Sequence, residues 1–189
     1  YEQLNIKFDL SIGESYYAQK WQTVLKDLEE KHIAQVNEEG AVVVSGLDNL
    51  SSFLLQKTDG STLYILRDIL AVIHRKKIFN PDKIIYVVGS EQELNFRQLF
   101  SICKTAGYSD GIDLDHVGFG LVMVDGKKMS TRKGTIVNLE DVIDEIIKKS
   151  KDILIKKDSV KKEEIESLSK RIGLGAIVYG DLRQNRLSP

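Results

Sequence analysis

With 189 residues, 42% of them hydrophobic and 29% charged, the chain has the composition of an ordinary soluble globule, long enough for one main domain and an appended piece. It contains no low-complexity tract, no internal repeat and no apolar run long enough to span a bilayer, which sets membrane-embedded readings aside. A formal net charge of -1 excludes a domain-wide cationic field, so any nucleic-acid partner must be met by local patches.

Cys103 is the one cysteine, so there is no internal disulfide framework. His32, His74 and His116 are too scattered to give a metal-ligand spacing, and no metal site is expected. Asn49-Leu50-Ser51 matches a glycosylation acceptor by chance, since no secretory segment or paired cysteine accompanies it, and a cytoplasmic location fits. The chain opens on Tyr1 instead of Met and stops at Pro189 just after a hydrophobic helix, and so reads as a segment of a longer protein.

In chain order, Tyr17, Trp21, Val24, Leu25 and Leu28 recur at helical spacing and predict an amphipathic helix over 16–32. Residues 33–36 and 41–44 are β-prone runs around the turn Asn37-Glu38-Glu39-Gly40, which predicts a hairpin inserted on the main sheet. Asp59 to Thr62 supply turn residues and N-cap candidates before a helix over 63–77. The nearly unbroken β-branched run 83–89 predicts a strand covered on both faces in a parallel sheet. Ser90 and Glu93 stand at capping-box spacing ahead of a helix towards Gly107. A strand over 116–124, a basic loop over 125–134, a short extended piece over 135–138 and a helix over 139–154 follow, Asn138 and Asp141 being candidate caps. Beyond them come a solvated charged helix from Ser159 and a separate small-residue helix over 172–182, whose Gly173, Gly175, Ala176 and Gly180 allow close packing.

Strands alternating with helices on short links give an α/β class, part of a Rossmann-like doubly wound parallel sheet with an inserted hairpin/helix subdomain and C-terminal helices. Ligands of such sheets sit beyond the carboxyl ends of the strands, where Gly89 and the basic loop both fall.

The run Asp125 to Gly134 packs four cations into ten residues directly after an apolar strand. As a solvated hairpin it would mean nothing, but mobile cations closing over a leaving phosphoryl group stabilise its transition state more than its ground state. Lysines act as point charges and arginine grips two oxygens together, so Lys128, Arg132 and Lys133 suit a polyphosphate, with Ser130 and Thr131 adding hydroxyl donors.

Tyr64 and Asp68 lie four residues apart on one helix face. They can take a planar cation such as guanidinium, or Asp68 can pair with neighbouring Arg67 or Arg75. Gln92 beside the Gly89 strand end either presents its amide to the same ligand or is an ordinary first-turn residue. In His116-Val117-Gly118-Phe119-Gly120, glycine backbone can meet a nucleobase edge and His116 or Phe119 its face, or the segment is a bulged core strand.

Four segments, 56–64 with Arg67-Asp68, 86–92, 116–120 and 129–134, occur in the order and spacing of the arginyl-tRNA synthetase catalytic domain, which the chain resembles over most of its length. Met129-Ser130-Thr131-Arg132-Lys133-Gly134 resembles the signature loop of class I aminoacyl-tRNA synthetases in its arginyl form. Tyr1 to Asp9 with Gly13-Glu14-Ser15 is similar to the family's segment entering an inserted subdomain.

The resemblance implies a monomeric cytoplasmic parent enzyme that forms arginyl-adenylate from L-arginine and ATP with Mg²⁺, then charges tRNA(Arg). Carried over, Tyr64, Asp68 and Gln92 bind arginine, His116, Val117, Gly118 and Phe119 lie along the adenosine, and Lys128, Met129, Ser130, Thr131, Arg132 and Lys133 are the catalytic loop, its Lys128 to Ser130 also touching ATP. The implied division is an inserted subdomain portion over 1–55, the C-terminal half of the nucleotide-binding domain over 56–155, and a helical segment over 156–189 leading to an anticodon-binding domain. The family's His-Ile-Gly-His type motif is absent from the chain, so the fragment alone is expected to be inactive. The competing reading is a non-catalytic module that binds ATP or tRNA.

Overall fold

The computed structural model describes residues 1–18, 20–120, 138–157 and 160–188, with the backbone alone of 123–124 and 127–128. The chain divides into two compact units, one of Leu10–Gly118 and one of Tyr1–Asp9 with Phe119–Pro189.

The first unit opens with a 3-10 turn at Glu14–Tyr17, and helix α1 follows at Trp21–Glu30. The helical pattern of 16–32 is thus split: Tyr17 is buried from the turn, and Val24, Leu25 and Leu28 are buried from the helix. Strands β1 (Ala34–Val36) and β2 (Val42–Val44) form the antiparallel hairpin expected there, with Ala34 opposite Val44 and Val36 opposite Val42. Asn37 builds the turn, its Oδ1 accepting the Glu39 and Ala41 N–H groups at 3.1 and 2.8 Å.

A third strand, β3 (Phe53–Gln56), was not apparent in the sequence; it pairs with β2 and makes a three-stranded sheet. Asp59 closes the turn after β3 instead of capping a helix, accepting the Ser61 N–H at 2.8 Å. Helix α2 runs Ile65–Phe79 behind Tyr64 with no side-chain cap, and Leu66, Ile69 and Val72 are fully buried.

Strand β4 (Lys83–Gly89) falls on its predicted residues and pairs in parallel with β5 (Asp113–Phe119). Among the described residues only one face of β4 is covered. Tyr86 packs against Phe96 and Phe100, whereas Ile85 and Val87 are 55% and 67% exposed, contrary to the two-sided burial expected of the run. Ser90–Gln92 is a 3-10 turn, so the capping box does not form, and helix α3 begins at Glu93 and ends at Thr105. Gly107, at φ +77°, closes α3 with a left-handed cap in which its N–H meets the Lys104 carbonyl and the Tyr108 N–H meets the Cys103 carbonyl. Leu28, Val44, Leu55, Leu66, Ile69, Leu99, Ile102 and Cys103 form a common core drawn from α1, the β1–β3 sheet, α2 and α3. Cys103 is buried and its thiol is pushed up to about 12 by burial and the nearby Asp68 charge, an inert core residue.

In the second unit the strand predicted over 116–124 is interrupted after Phe119. Met123–Val124 (β6) and Lys127–Lys128 (β7) form a short antiparallel hairpin instead. Helix α4 (Leu139–Lys157) begins beyond the basic run, with the Asn138 amide donating to Asp141 at 3.2 Å. The two helices predicted over 159–182 are a single helix, α5 (Lys162–Leu182). Its Gly173 is buried against Ile147 of α4, while Gly175 and Gly180 face open space among the described residues. The extended piece predicted over 135–138 lies, but for Asn138, outside the described residues. Among the described residues no helix is long and apolar enough to cross a membrane.

Candidate functional site

Tyr64 stands at the head of α2, where its carbonyl accepts the Arg67 and Asp68 N–H groups at 2.9 and 3.1 Å. Its ring is 68% exposed, and the Arg67 guanidinium lies 5.5 Å from the ring centroid. Arg67 is claimed from elsewhere: its Nη1 pairs with the Glu14 carboxylate at 3.3 Å. Arg75 lies 5.3 Å from the Tyr86 ring, whose hydroxyl is buried beside it without a hydrogen bond of normal geometry.

Both arginines that could have neutralised Asp68 are therefore engaged by other groups, and the Asp68 carboxylate has no hydrogen-bond or ion-pair partner among the described residues. Burial first, and then the Glu14 charge, push its carboxyl up to about 6 against the opposing fields of Arg75 and Arg67. A half-buried carboxylate left unpaired costs free energy that an arriving cation would offset. Glu14, Arg67 and Arg75 set this environment. Glu14 stood only in the Gly13-Glu14-Ser15 match and drew no role, because its contact with α2 joins residues 53 apart in sequence.

The turn holding Glu14 is itself fixed on α2, since the Tyr17 hydroxyl and His74 Nδ1 are 3.0 Å apart and the Tyr16 ring packs on His74 at 5.1 Å. Burial raises the Tyr17 phenol, which stays neutral and available for that bond.

At the carboxyl end of β4, Gln92 ends the 3-10 turn, and its Oε1 accepts a hydrogen bond from Asn95. The Gln92 amide nitrogen bonds nothing among the described residues. From the middle of β5, His116 Nε2–H donates to the Val88 carbonyl at 3.0 Å, and its ring stacks on Phe96 at 4.4 Å. One face of His116 is thereby used by Phe96, a contact not anticipated from sequence. Gly118 is buried where a Cβ would come within 3.2 Å of Ser90 Cα, so the strand end and the Ser90 turn approach at backbone distance. Val117 is partly buried and Phe119 is 45% exposed.

The structure thus brings Tyr64 and Asp68 together on one helix turn, and sets His116 and Gly118 of β5 against Val88 and Ser90 at the end of β4. Of the basic run, the backbone of Lys127 and Lys128 forms β7, while Met129, Ser130, Thr131, Arg132 and Lys133 lie outside the described residues.

The sequence profile of the family described as "tRNA synthetases class I (R), catalytic domain" matches residues 1–189. An arginine–tRNA ligase of Clostridioides difficile is 41% identical over 187 residues, 99% of this chain and 33% of the relative. One of Exiguobacterium sibiricum is 40% identical over 189 residues, 100% of this chain and 33% of the relative. The chain therefore spans about a third of the length of these relatives. The crystal structure of a Plasmodium falciparum arginyl-tRNA synthetase superposes with a TM-score of 0.82 at 29% identity, over 100% of this chain and 32% of that one. A Thermus thermophilus arginyl-tRNA synthetase gives a TM-score of 0.77 at 20% identity, over 99% and 38% of the two chains, which bears on the fold alone. The α/β arrangement with its parallel strand pair is accordingly part of a Rossmann-like sheet. Matched along all its residues by that profile and at about two-fifths identity by these ligases, the chain belongs to the class I arginyl-tRNA synthetase catalytic-domain family.

Proposed function

We propose that the protein of which this chain is a part is an arginine–tRNA ligase, which activates L-arginine with ATP and transfers the arginyl group to tRNA(Arg). The observation that carries this reading is Asp68, a half-buried carboxylate whose neighbouring arginines are held elsewhere, one helix turn from Tyr64. A bidentate pair donated by a guanidinium to Asp68, with further N–H groups donated to the Tyr64 hydroxyl oxygen and to the second lone pair of Gln92 Oε1, uses acceptor positions the described residues leave open.

Activation needs no enzyme nucleophile. The arginine carboxylate attacks the α-phosphate, pyrophosphate leaves, and the enzyme contributes positioning and charge stabilisation. In this reading His116, Val117, Gly118 and Phe119 lie along the adenosine, with the His116 ring steadied by Phe96. The cations Lys128, Arg132 and Lys133, with Met129, Ser130 and Thr131 between them, meet the phosphates. Mg²⁺ would accompany the nucleotide and would offset phosphate charge during activation. The parent protein is read as a cytoplasmic monomer. Residues 1–55 are assigned to its inserted subdomain, 56–155 to its nucleotide-binding half and 156–189 to the link towards tRNA-binding helices.

The test is arginine-dependent ATP–pyrophosphate exchange and tRNA charging by the full-length protein, with citrulline as the competitor. Citrulline replaces guanidinium by a neutral urea, and a site with an unpaired carboxylate should reject it on the order of a thousandfold. Equal use of the two would remove the guanidinium contact, and no exchange with either would favour a non-catalytic nucleotide- or tRNA-binding module. The isolated chain, which has no His-Ile-Gly-His type motif and spans a third of its relatives' length, is expected to show no exchange.

A further inference from the structure

Arg67 and Asp68 are consecutive on α2, so a ligand cation that comes to Asp68 meets a competitor carried by the protein itself. Tyr64 stands one helix turn before Asp68 on the same side of α2, and the Arg67 guanidinium lies 5.5 Å from its ring centroid. The competitor is thus held close to the carboxylate, and its field already reaches Asp68 together with that of Arg75. Among the described residues the ion-pair partner of Arg67 is Glu14, at 3.3 Å from Nη1, while its Nε is buried and meets no acceptor. Without Glu14 the guanidinium would have several donors unmet, and Asp68, itself without a partner, could take two of them in a bidentate pair.

Glu14 is a fixed acid, because the Glu14–Tyr17 turn that carries it is clamped to α2. His74 of α2 has Nδ1 at 3.0 Å from the Tyr17 hydroxyl and Nε2 at 3.4 Å from that of Tyr16, one tyrosine for each ring nitrogen. A neutral imidazole offers one donor and one acceptor, which two hydroxyls can match. Ion pairs between two loose surface side chains contribute little, since both must be ordered. Here the backbone of the acid is ordered already, and less freedom is lost in holding Arg67.

We propose that Glu14 is a positioning residue for arginine binding: it latches Arg67 against Tyr64 and away from Asp68, so that the carboxylate stays open to the guanidinium of the substrate. The identity of that substrate rests on the ligase reading, whereas the latch rests on the geometry of Glu14, Arg67 and Asp68. Glu14 acts through Arg67, so its effect should appear in the use of arginine and leave the use of ATP as it was. Apparent affinity is intrinsic affinity scaled by the fraction of molecules in which Asp68 is open, so a freed Arg67 that closed the site about nine times in ten would weaken arginine binding about tenfold.

The test compares full-length wild type with Glu14→Ala, Arg67→Met and the two together in arginine-dependent pyrophosphate exchange, beside a crystal structure of full-length Glu14→Ala without substrate. Glu14→Ala should raise the KM for arginine about tenfold with the KM for ATP unchanged. In a protein that already carries Arg67→Met no competitor is left, and adding Glu14→Ala should move the KM for arginine by less than about twofold. The crystal structure should show the Arg67 guanidinium on the Asp68 carboxylate. A Glu14→Ala defect that persists beside Arg67→Met would mean that Glu14 draws the substrate by its own charge, and would overturn the proposal. So would KM values for ATP and arginine that rise in equal proportion, or an Arg67 that stays clear of Asp68 in the variant. Should the wild type exchange nothing, the ligase reading falls and the place of Arg67 in the variant structure decides the latch by itself.

Discussion

Asp68→Asn in the full-length protein is expected to lower kcat/KM for arginine about a hundredfold or more, a loss of about 3 kcal/mol from removing one partner of a desolvated charge pair. The wild type should show a pH dependence that the variant lacks. The free Asp68 carboxyl is raised from 3.8 to about 6, mainly by burial and then by Glu14. The guanidinium keeps its charge throughout, so arginine affinity should rise with pH through about 6 and level off above it.

Stability runs the other way. A carboxyl whose folded pKa lies above its unfolded one contributes its full stability below the unfolded value, and that contribution is lost as pH rises from about 4 through about 6. Asp68→Asn should therefore leave the free protein as stable as wild type at neutral pH, or more so by up to about 1 kcal/mol once screening of a partly open group is allowed for. Profiles of kcat/KM against pH, with thermal melts of both proteins at pH 5 and 8, check this. If Asp68→Asn charges arginine normally, the enzyme stands and its pocket lies elsewhere. If the substitution abolishes activity only because the protein melts, the ligand contact falls.

The three glycines of α5 should respond to alanine with opposite signs. At Gly175 and Gly180 nothing among the described residues lies within 4 Å of an added Cβ, so alanine gains helix propensity, up to about 1 kcal/mol at each. At Gly173 the same methyl would sit 2.9 Å from Ile147 Cγ1 and 3.0 Å from Ile147 Cα. The first atom can rotate away, but the second belongs to the backbone of α4, and the helices must separate. Overpacking of this kind costs about 1–3 kcal/mol, which exceeds the propensity gain. Gly173→Ala should be destabilising, and Gly173→Val more so because its branched side chain adds volume and is poorly suited to a helix. Denaturant melts followed by helical circular dichroism read all four variants. A stabilised Gly173→Ala would mean that α4 and α5 do not meet at that point.

Where local chemistry decided the outcome, the sequence was a sufficient guide. The β-branched run of β4 has sharp ends at Lys83 and Gly89, and the Asn37–Gly40 turn carries its own hydrogen-bonding side chain. Strand β3 escaped notice because its four residues show no alternation of their own and become a strand by pairing with β2. Helix α5 was divided at Arg171 and Ile172 because composition shifts there from charged to small and apolar, yet no residue at that point breaks a helix and Gly173 is accommodated by packing. At the site, the spacing of Tyr64 and Asp68 was legible. The choice between a free and a paired carboxylate was not, since it turns on Glu14 and the Tyr86 ring drawing the two arginines away. In the same way, the Phe96 ring under His116 comes from a different element, and no spacing along the chain announces it.

The bare face of β4 has a thermodynamic signature. Among the described residues Ile85 and Val87 keep most of their surface in water, so unfolding adds little new apolar hydration there. Heat capacity of unfolding follows newly wetted apolar area, so a partner that covered those two side chains would raise it by no more than about 0.1 kcal/mol/K, a small increment with a definite sign.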